Sequence, residues 1–457
     1  MISDDTVALV GHLSPKSRII AQTESCVHLS STATSQSEIL EDCYNLGDAH
    51  WYGGPEQRHQ YWPIEKTKFA DYSYVPKEQD YQSIAERYWL SSEGVYIFVE
   101  EGVPLFIDLN SEQDKHICFK AKNAAPYPRE TIPFLNYTIC TYENARVAHE
   151  NAIQDVLGKP SGYPDETMIR YPIWSTWAKY KTVIDEARVL EFADAIVEHN
   201  YPNSQLEVDD RWEVCYGALT FDKTRFPAMK NLTSFLKTKG FRTTLWVHPF
   251  IALDCEPWHS EALEKGYFVK NTEGSAETTW WNGKASIIDF TNPNAAEWFT
   301  SRLKVILEED GIDSFKFDAG ETSFLPQLPV LNGRAEENPG IFTKKYVSTV
   351  SQFGPMIEVR TGQRSQRLPM FVRMLDKDTA WDWENGLKTL VTTLLEMNMV
   401  GYTLVLPDMV GGNGYGTVPT KELFIRWLQA NVFMPSVQFS YVPWDFDTEV
   451  IILILSL

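Results

Sequence analysis

The sequence predicts an α/β protein: a (β/α)8 barrel preceded by an N-terminal β-sandwich. Three observations lead there. Short β-type runs separated by turn residues fill the chain up to about residue 150. From Tyr171 onward, short apolar runs alternate with amphipathic helical stretches, the pattern of βα units on a parallel sheet. A length of 457 residues suits one large barrel with an accessory domain. The expected division is a sandwich over residues 1–150, a barrel over 151–445, and a short apolar tail over 446–457.

In the first segment the strand-like runs are Arg87-Tyr88-Trp89-Leu90, Val95 to Val99, and Pro104-Leu105-Phe106-Ile107. In the second, nine runs qualify: Ile169 to Ser175, Gln205 to Val208, Thr243 to Val247, Ser286 to Phe290, Ser314 to Phe317, Met356 to Val359, Phe371 to Leu375, Tyr402 to Leu406 and Ser436 to Phe439. A barrel needs eight, so one is in excess. Between them, Asp185 to His199 and Pro293 to Glu309 each gather apolar residues on one broad face, as outer-ring helices do. The run Gly411 to Gly416 reads as a flexible loop rather than a phosphate cradle, because no helix opens directly after it.

Composition narrows the partners. A formal net charge of −21 excludes nucleic acid, whose binding needs basic patches. Aromatics make up 13% of the chain, with 15 Trp, which offers flat apolar platforms of the kind sugars stack on. The six cysteines show no metal-ligand spacing, so no metal site is expected; short-range disulfides would join Cys26 to Cys43 and Cys118 to Cys140. Asn136-Tyr137-Thr138 and Asn231-Leu232-Thr233 match the N-glycosylation pattern. The first thirty residues lack a signal-peptide core, and no segment reaches the ~20 apolar residues that span a bilayer. The apolar end, Val450 to Leu457, follows a loop-like Trp444-Asp445-Phe446-Asp447 and reads as a truncation or splice product.

Barrel enzymes place their chemistry at the C-terminal ends of the strands. Collecting the residues there gives Trp174, Trp177, Glu207, Asp209, Asp210, Trp246, His248, Trp281, Asp289, Lys316, Asp318, Arg360, Arg373, Asp376 and Asp408. Carboxylates, aromatics and a few cations describe a carbohydrate pocket. Lys316 and Asp318 share one face of an apolar strand, and buried charges are costly unless paired, so a site explains them better than packing. Glycoside hydrolysis needs two carboxyl groups on opposite sides of the scissile bond. Asp318 and Asp376 end different strands and can converge on a sugar, although Asp is also a common helix cap and Asp378 and Asp382 lie near Asp376. His248 has no second His at ligand spacing and suits a structural or orienting role.

Longer motifs carry a family resemblance. Trp51-Tyr52-Gly53-Gly54, Glu86 to Ser92, Pro172 to Trp177, Thr244 to Phe250, Phe315 to Glu321, Leu406 to Asn413 and Pro435 to Ser440 follow one another in an order that resembles glycoside hydrolase family 31. Within that family the chain is most similar to the myogenesis-regulating glycosidase subgroup, over residues 45 to 450. The resemblance implies a retaining glycosidase with Asp318 as nucleophile and Asp376 as acid/base, and no cofactor. It also implies that Arg360, Lys316 and Trp281 face the sugar; Trp246, Trp177, Glu207, Asp209 and Asp408, from the strand-end collection, are expected as further substrate-binding residues. Family members continue into C-terminal β-domains, which this chain is expected to lack.

Two departures bear on the sugar. Glu207-Val208-Asp209-Asp210 stands where the family's α-glucosidases carry Asp-Ile-Asp, and Gln438-Phe439-Ser440 where they carry a histidine. The subgroup resemblance implies a terminal α-galactoside as substrate. The alternatives are an α-glucosidase or α-xylosidase of the same family, or a non-catalytic sugar-binding or regulatory protein. Subgroup relatives enter the secretory pathway, which implies a lumenal or extracellular address.

Overall fold

The computed structural model describes residues 11–112, 115–127 and 131–455; residues 1–10 of the expected sandwich and 456–457 of the apolar tail lie outside the described residues. Two antiparallel sheets form the N-terminal sandwich. One orders its strands Gly11–His12, Leu40–Asn45, His116–Ala121, Leu105–Leu109, Phe69–Ser73; the other runs Arg18–Gln22, Cys26–Thr32, Phe134–Thr141, Val95–Val99, Ala85–Ser91, Trp51–Pro55. Cys26–Thr32 alternates half-buried with buried residues, as a strand with one face on a core should. Ala85–Ser91 is buried throughout, because it has two cores to serve. Ala85, Trp89 and Ile97 point into the sandwich, whereas Ile84, Tyr88, Leu90 and Tyr96 join the core of the barrel. The uninterrupted apolar run Tyr88-Trp89-Leu90 is thus the seam between the domains.

Eight parallel strands build the barrel: β1 (Ile173–Ser175), β2 (Gln205–Val208), β3 (Thr243–Val247), β4 (Ser314–Phe317), β5 (Glu358–Val359), β6 (Phe371–Arg373), β7 (Val405–Leu406) and β8 (Gln438–Phe439). The ladder runs from β7 through β1 to β8, and a bridge from Met409 to Gln438 closes the ring. The ninth candidate, Ser286 to Phe290, is not a barrel strand. Its first half belongs to Gly283–Ile287, which pairs antiparallel with Phe250–Ala252 and Glu277–Trp280 in a small sheet inserted after β3. A short apolar run reads alike in a barrel and in such a hairpin, so periodicity could not separate them. The first candidate also shortens: Glu166–Arg170 is helical, capped by the Asp165 carboxylate, and only Ile173–Ser175 is strand.

Helix α1 (Glu186–Glu198) starts where the Asp185 side chain accepts from Arg188 N, and it buries Val189, Phe192, Ala193 and Ile196. Helix α2 (Pro293–Asp310) has Pro at its first position and ends at Gly311 in a left-handed conformation. The apolar tail is helical over Thr448–Leu455. No described helix is long and apolar enough to cross a membrane.

The disulfides correct the short-range pairing. Cys26 bonds Cys140 and Cys43 bonds Cys118, across 114 and 75 residues, and Cys215 bonds Cys255. Each sandwich bridge joins residues directly opposite one another on neighbouring antiparallel strands. Strand pairing, not distance along the chain, decides which sulfurs meet. Of the two glycosylation matches, Asn231 is exposed on a helix, whereas Asn136 is half-buried and accepts a hydrogen bond from Ser30 Oγ at 2.7 Å.

Candidate active site

The strand ends open into a cavity of about 390 Å³. Of the residues singled out from the sequence, Trp177, Asp209, Asp210, Trp246, Trp281, Lys316, Asp318, Arg360, Arg373 and Asp376 line it. The others lie elsewhere. Trp174 is fully buried against Phe439 and Trp444, His248 faces Glu213 at 3.4 Å, and Asp289 accepts from Thr291 N. Glu207 and Asp408, expected at the sugar, are both fully buried and do not line the cavity. Asp378 pairs with Arg58 of the sandwich at 2.9 Å, and Asp382 is exposed, so Asp376 is the acidic residue after β6 that reaches the cavity.

Alternation along β4 explains Asp318. Phe315 and Phe317 pack outward on Phe353, which leaves Lys316 and the residue after the strand facing the barrel axis. The turn that follows admits only glycine at 320: φ is +102°, and a Cβ there would lie 2.4 Å from the Tyr346 ring. Tyr346 in turn donates its hydroxyl to Asp318 O at 2.8 Å. The carboxylate is thereby aimed. Its Oδ2 accepts from Trp246 Nε1 at 2.8 Å, and Oδ1 lies 3.3 Å from Arg360 Nε and 3.2 Å from Arg373 Nη2. Burial alone would raise its pKa, but Arg360, Arg373 and Lys316 together outweigh that and hold it well below the usual carboxylate range.

Arg373 spans the two acids. Its Nη1 donates to Asp376 Oδ1 at 2.8 Å while Nη2 reaches Asp318. Burial would again raise the Asp376 pKa, and Arg373 overrides it, helped by a hydroxyl donated from Tyr415 and opposed by the charge of Asp318. Arg373 thus favours the charged form of both acids. Arg360 also binds Glu321, at 2.7 Å from Oε1, and stacks its guanidinium 4.9 Å from the Trp281 ring centre.

Behind this layer Lys316 sits 3.0 Å from Asp209 and 3.2 Å from Glu207. Burial would deprotonate it, but these two carboxylates keep it charged. Asp210 turns to the cavity beside it, pushed up to about 6 by burial despite a hydroxyl donated by Tyr216 at 2.8 Å. Trp281 is 41% exposed at the turn of the small inserted sheet, between Phe250 and Phe324. The Cys215–Cys255 bond ties the loop after β2 to the loop after β3 at the same rim.

Several wall residues were invisible to strand-end reasoning. Glu78 and Tyr81 come from the sandwich, on a segment docked to the barrel by Thr322 N donating to Pro76 O at 2.9 Å. Tyr415 comes from the glycine-rich run, which is not the free loop expected. Gly412 packs against the backbone of Asp378 and Thr379, Asn413 Nδ2 donates to Lys377 O at 3.1 Å, and Trp177 Nε1 donates to Tyr415 Oη at 3.2 Å. The signal for Tyr415 was its aromatic ring amid glycines. Among the described residues the one grouping with metal-ligand geometry is Glu41 with Cys43 and Cys118, whose sulfurs are joined in a disulfide.

Known proteins share this architecture. Residues 171–452 match the glycosyl hydrolases family 31 TIM-barrel domain, and residues 28–158 match the myogenesis-regulating glycosidase N-terminal domain. Myogenesis-regulating glycosidase of Mus musculus is 36% identical over 435 residues, covering 90% of this chain and 60% of that protein. SITS-binding protein of Tetronarce californica is 25% identical over 446 residues, covering 92% of this chain and 60% of that protein. The chain thus spans about 60% of the length of these curated relatives. Among solved structures, the GH31 dextranase of Flavobacterium johnsoniae superposes with a TM-score of 0.75 at 18% identity, over 97% of this chain and 60% of that one. Because the match runs through all eight strands and the loops that carry the two acids, the chain belongs to glycosyl hydrolases family 31.

Proposed function

We propose that this protein is a retaining glycoside hydrolase that removes a terminal α-linked hexose, namely galactose. The observation that carries the reading is the shared cavity of Asp318 and Asp376, one held ionised by two guanidiniums and an indole, the other beside it on the fork of Arg373. Asp318 attacks the anomeric carbon and forms a glycosyl ester as the glycosidic C–O bond breaks. Asp376 gives its proton to the departing oxygen, then takes one from the water that cleaves the ester. Retention requires carboxyl groups ~5–5.5 Å apart, which one bridging guanidinium favours. Once Asp318 is esterified, Arg360 and Arg373 are free to stabilise its developing charge in the return step.

Trp281 and Trp177 supply apolar faces for the sugar, and the Asp209–Lys316 pair supplies polar groups for its hydroxyls. Relatives that act on sugars fit this reading: the dextranase was solved with isomaltotriose, and an α-xylosidase of Lactiplantibacillus pentosus is 26% identical over 406 residues. The preference for galactose rests on the resemblance to the myogenesis-regulating glycosidase subgroup, and the departures around Glu207 and Gln438 speak against glucose. Since Glu207 lies behind Lys316, it acts on the sugar through Lys316 and Asp209. Three disulfides support an oxidising compartment, the secretory lumen or outside the cell, as the setting of this activity.

Assays with aryl α-galactoside, α-glucoside and α-xyloside test the reading. Turnover of the galactoside, falling about a thousandfold or more in Asp318→Asn, is the expected outcome. Preference for glucoside or xyloside would replace the sugar, and hydrolysis unchanged by the substitution would remove Asp318 from its role.

A further inference from the structure

A second cavity adjoins the first, and its chemistry is opposite to that of the chain. It is an open basin of about 650 Å³ walled by Asp185, Arg188, Arg211, Tyr216, Arg225 and Asn282 among others. The two cavities share a partition. Asp210 lines the first and Arg211 the second, Trp281 the first and Asn282 the second. Tyr216 stands in that partition and donates its hydroxyl to Asp210.

The basin's wall carries three guanidiniums and one carboxylate, Asp185, with Asp222 beside Arg225, in a protein whose net charge is −21. Arg225 is fixed, with Nη1 donating to Thr182 O at 2.9 Å and lying 3.4 Å from Ile184 O and Arg211 O, while Asp222 approaches its Nε at 3.6 Å from behind. Arg188 is held by the cap of α1, since Asp185 accepts from its backbone N at 2.9 Å and pairs with its side chain. Arg211 is different. It is exposed, its guanidinium rests 5.4 Å from the centre of the Tyr216 ring, and among the described residues no carboxylate pairs with it. Its backbone φ is +73°, a conformation that disfavours every residue with a Cβ and is adopted by glycine at no such cost. A strained arginine that leans on Tyr216, has no carboxylate partner among the described residues and faces a basin with two more is placed to meet an anion.

We propose that this basin is an anion-accepting subsite, and that the protein's glycan ligands carry a sulfate, phosphate or uronic carboxylate that Arg211, Arg188 and Arg225 bind while the neutral terminal sugar occupies the first cavity. The proposal rests on the reading of the first cavity as a sugar site, but not on turnover.

The test is calorimetric titration of the full chain with neutral disaccharides and with their sulfated, phosphorylated and uronic counterparts. The anionic forms bind about tenfold or more tightly than their neutral parents, as a charge-assisted contact gives, and the preference weakens with added salt. The arms of the panel identify which anion is preferred. Arg211→Ala abolishes the preference and leaves neutral binding unchanged; Arg211→Lys restores part of it. Arg211→Gly removes the side chain while relieving the backbone, so its failure to bind anions cannot come from misfolding. Equal affinity for neutral and anionic forms in the unaltered protein overturns the proposal, as does a preference that survives Arg211→Gly. A protein that hydrolyses galactosides without anion preference loses only this subsite; one that prefers anionic glycans yet hydrolyses nothing loses only the catalytic reading.

Discussion

In the proposed mechanism Asp318 and Asp376 divide two roles by their surroundings, although both are aspartates lining one cavity. Asp318 has Arg360, Arg373, Lys316 and the Trp246 indole around it, which favour its charged form, the form the proposed nucleophile needs. The proposed acid/base, Asp376, must be protonated to act, yet Arg373 and Tyr415 pull its pKa down. A group with a lowered pKa is protonated only at low pH, so kcat/KM rises as pH falls and declines along an alkaline limb set by Asp376. Removing the Tyr415 hydroxyl removes a stabiliser of the charged form. Tyr415→Phe is therefore expected to move that limb to higher pH, as pH profiles of kcat/KM would read. An unmoved limb would take Asp376 out of the proton transfer. The acids repel one another and share Arg373, so the profile reports the pair rather than either residue alone.

At the scale of elements, the site is assembled from loops that the strands merely present. The sandwich sends Glu78 and Tyr81 to a wall otherwise built by the barrel, which makes the first domain part of the site and not only its support. Tyr81→Ala is expected to lower kcat/KM about ten- to hundredfold, the range set by losing a wall contact or leaving a buried polar group unpaired, while Asp318 keeps its charge. Activity equal to that of the unaltered protein would show this wall to be idle. The Cys215–Cys255 bond closes a 40-residue separation between the loops after β2 and β3. Replacing both cysteines by serine is expected to cost about 2–4 kcal/mol of stability, read as a lower Tm. The same loops carry Asp210, Arg211 and the Trp281 hairpin, so the bond also fixes the partition between the two cavities.

For the whole molecule, buried carboxyls make stability depend on pH. Burial, with repulsion from Glu207, pushes Glu358 up to about 8; burial pushes Glu396 up to about 8 and Glu56 to about 7. Their ordinary value is 4.5, so the unfolded chain loses these protons first as pH rises. The stabilising contribution is full below that value and is lost as pH climbs through 7 to 8. Tm is expected to fall between pH 5 and pH 8, and Glu396→Gln to flatten the decline. Scanning calorimetry across that range checks it, and a Tm that rises over the range would contradict the raised values.

The sequence by itself determined the barrel and the sandwich, and it singled out the two acids that share the cavity. Apolar runs with period two and helices with period 3.6 are local facts, and Lys316 and Asp318 on one strand face need no tertiary knowledge to look functional. Ten of the strand-end residues do line the cavity, because a strand's end and its facing direction follow from alternation alone. The tertiary structure decided what depends on distant segments meeting. It excluded Ser286 to Phe290 from the barrel, re-paired four cysteines through strand register, and withdrew Glu207 and Asp408 behind the wall. It also brought Glu78, Tyr81 and Tyr415 to the cavity and set Arg211 beside Arg188 and Arg225. Each of these is a contact between residues far apart in the chain, settled by packing and hydrogen bonding that no local pattern encodes.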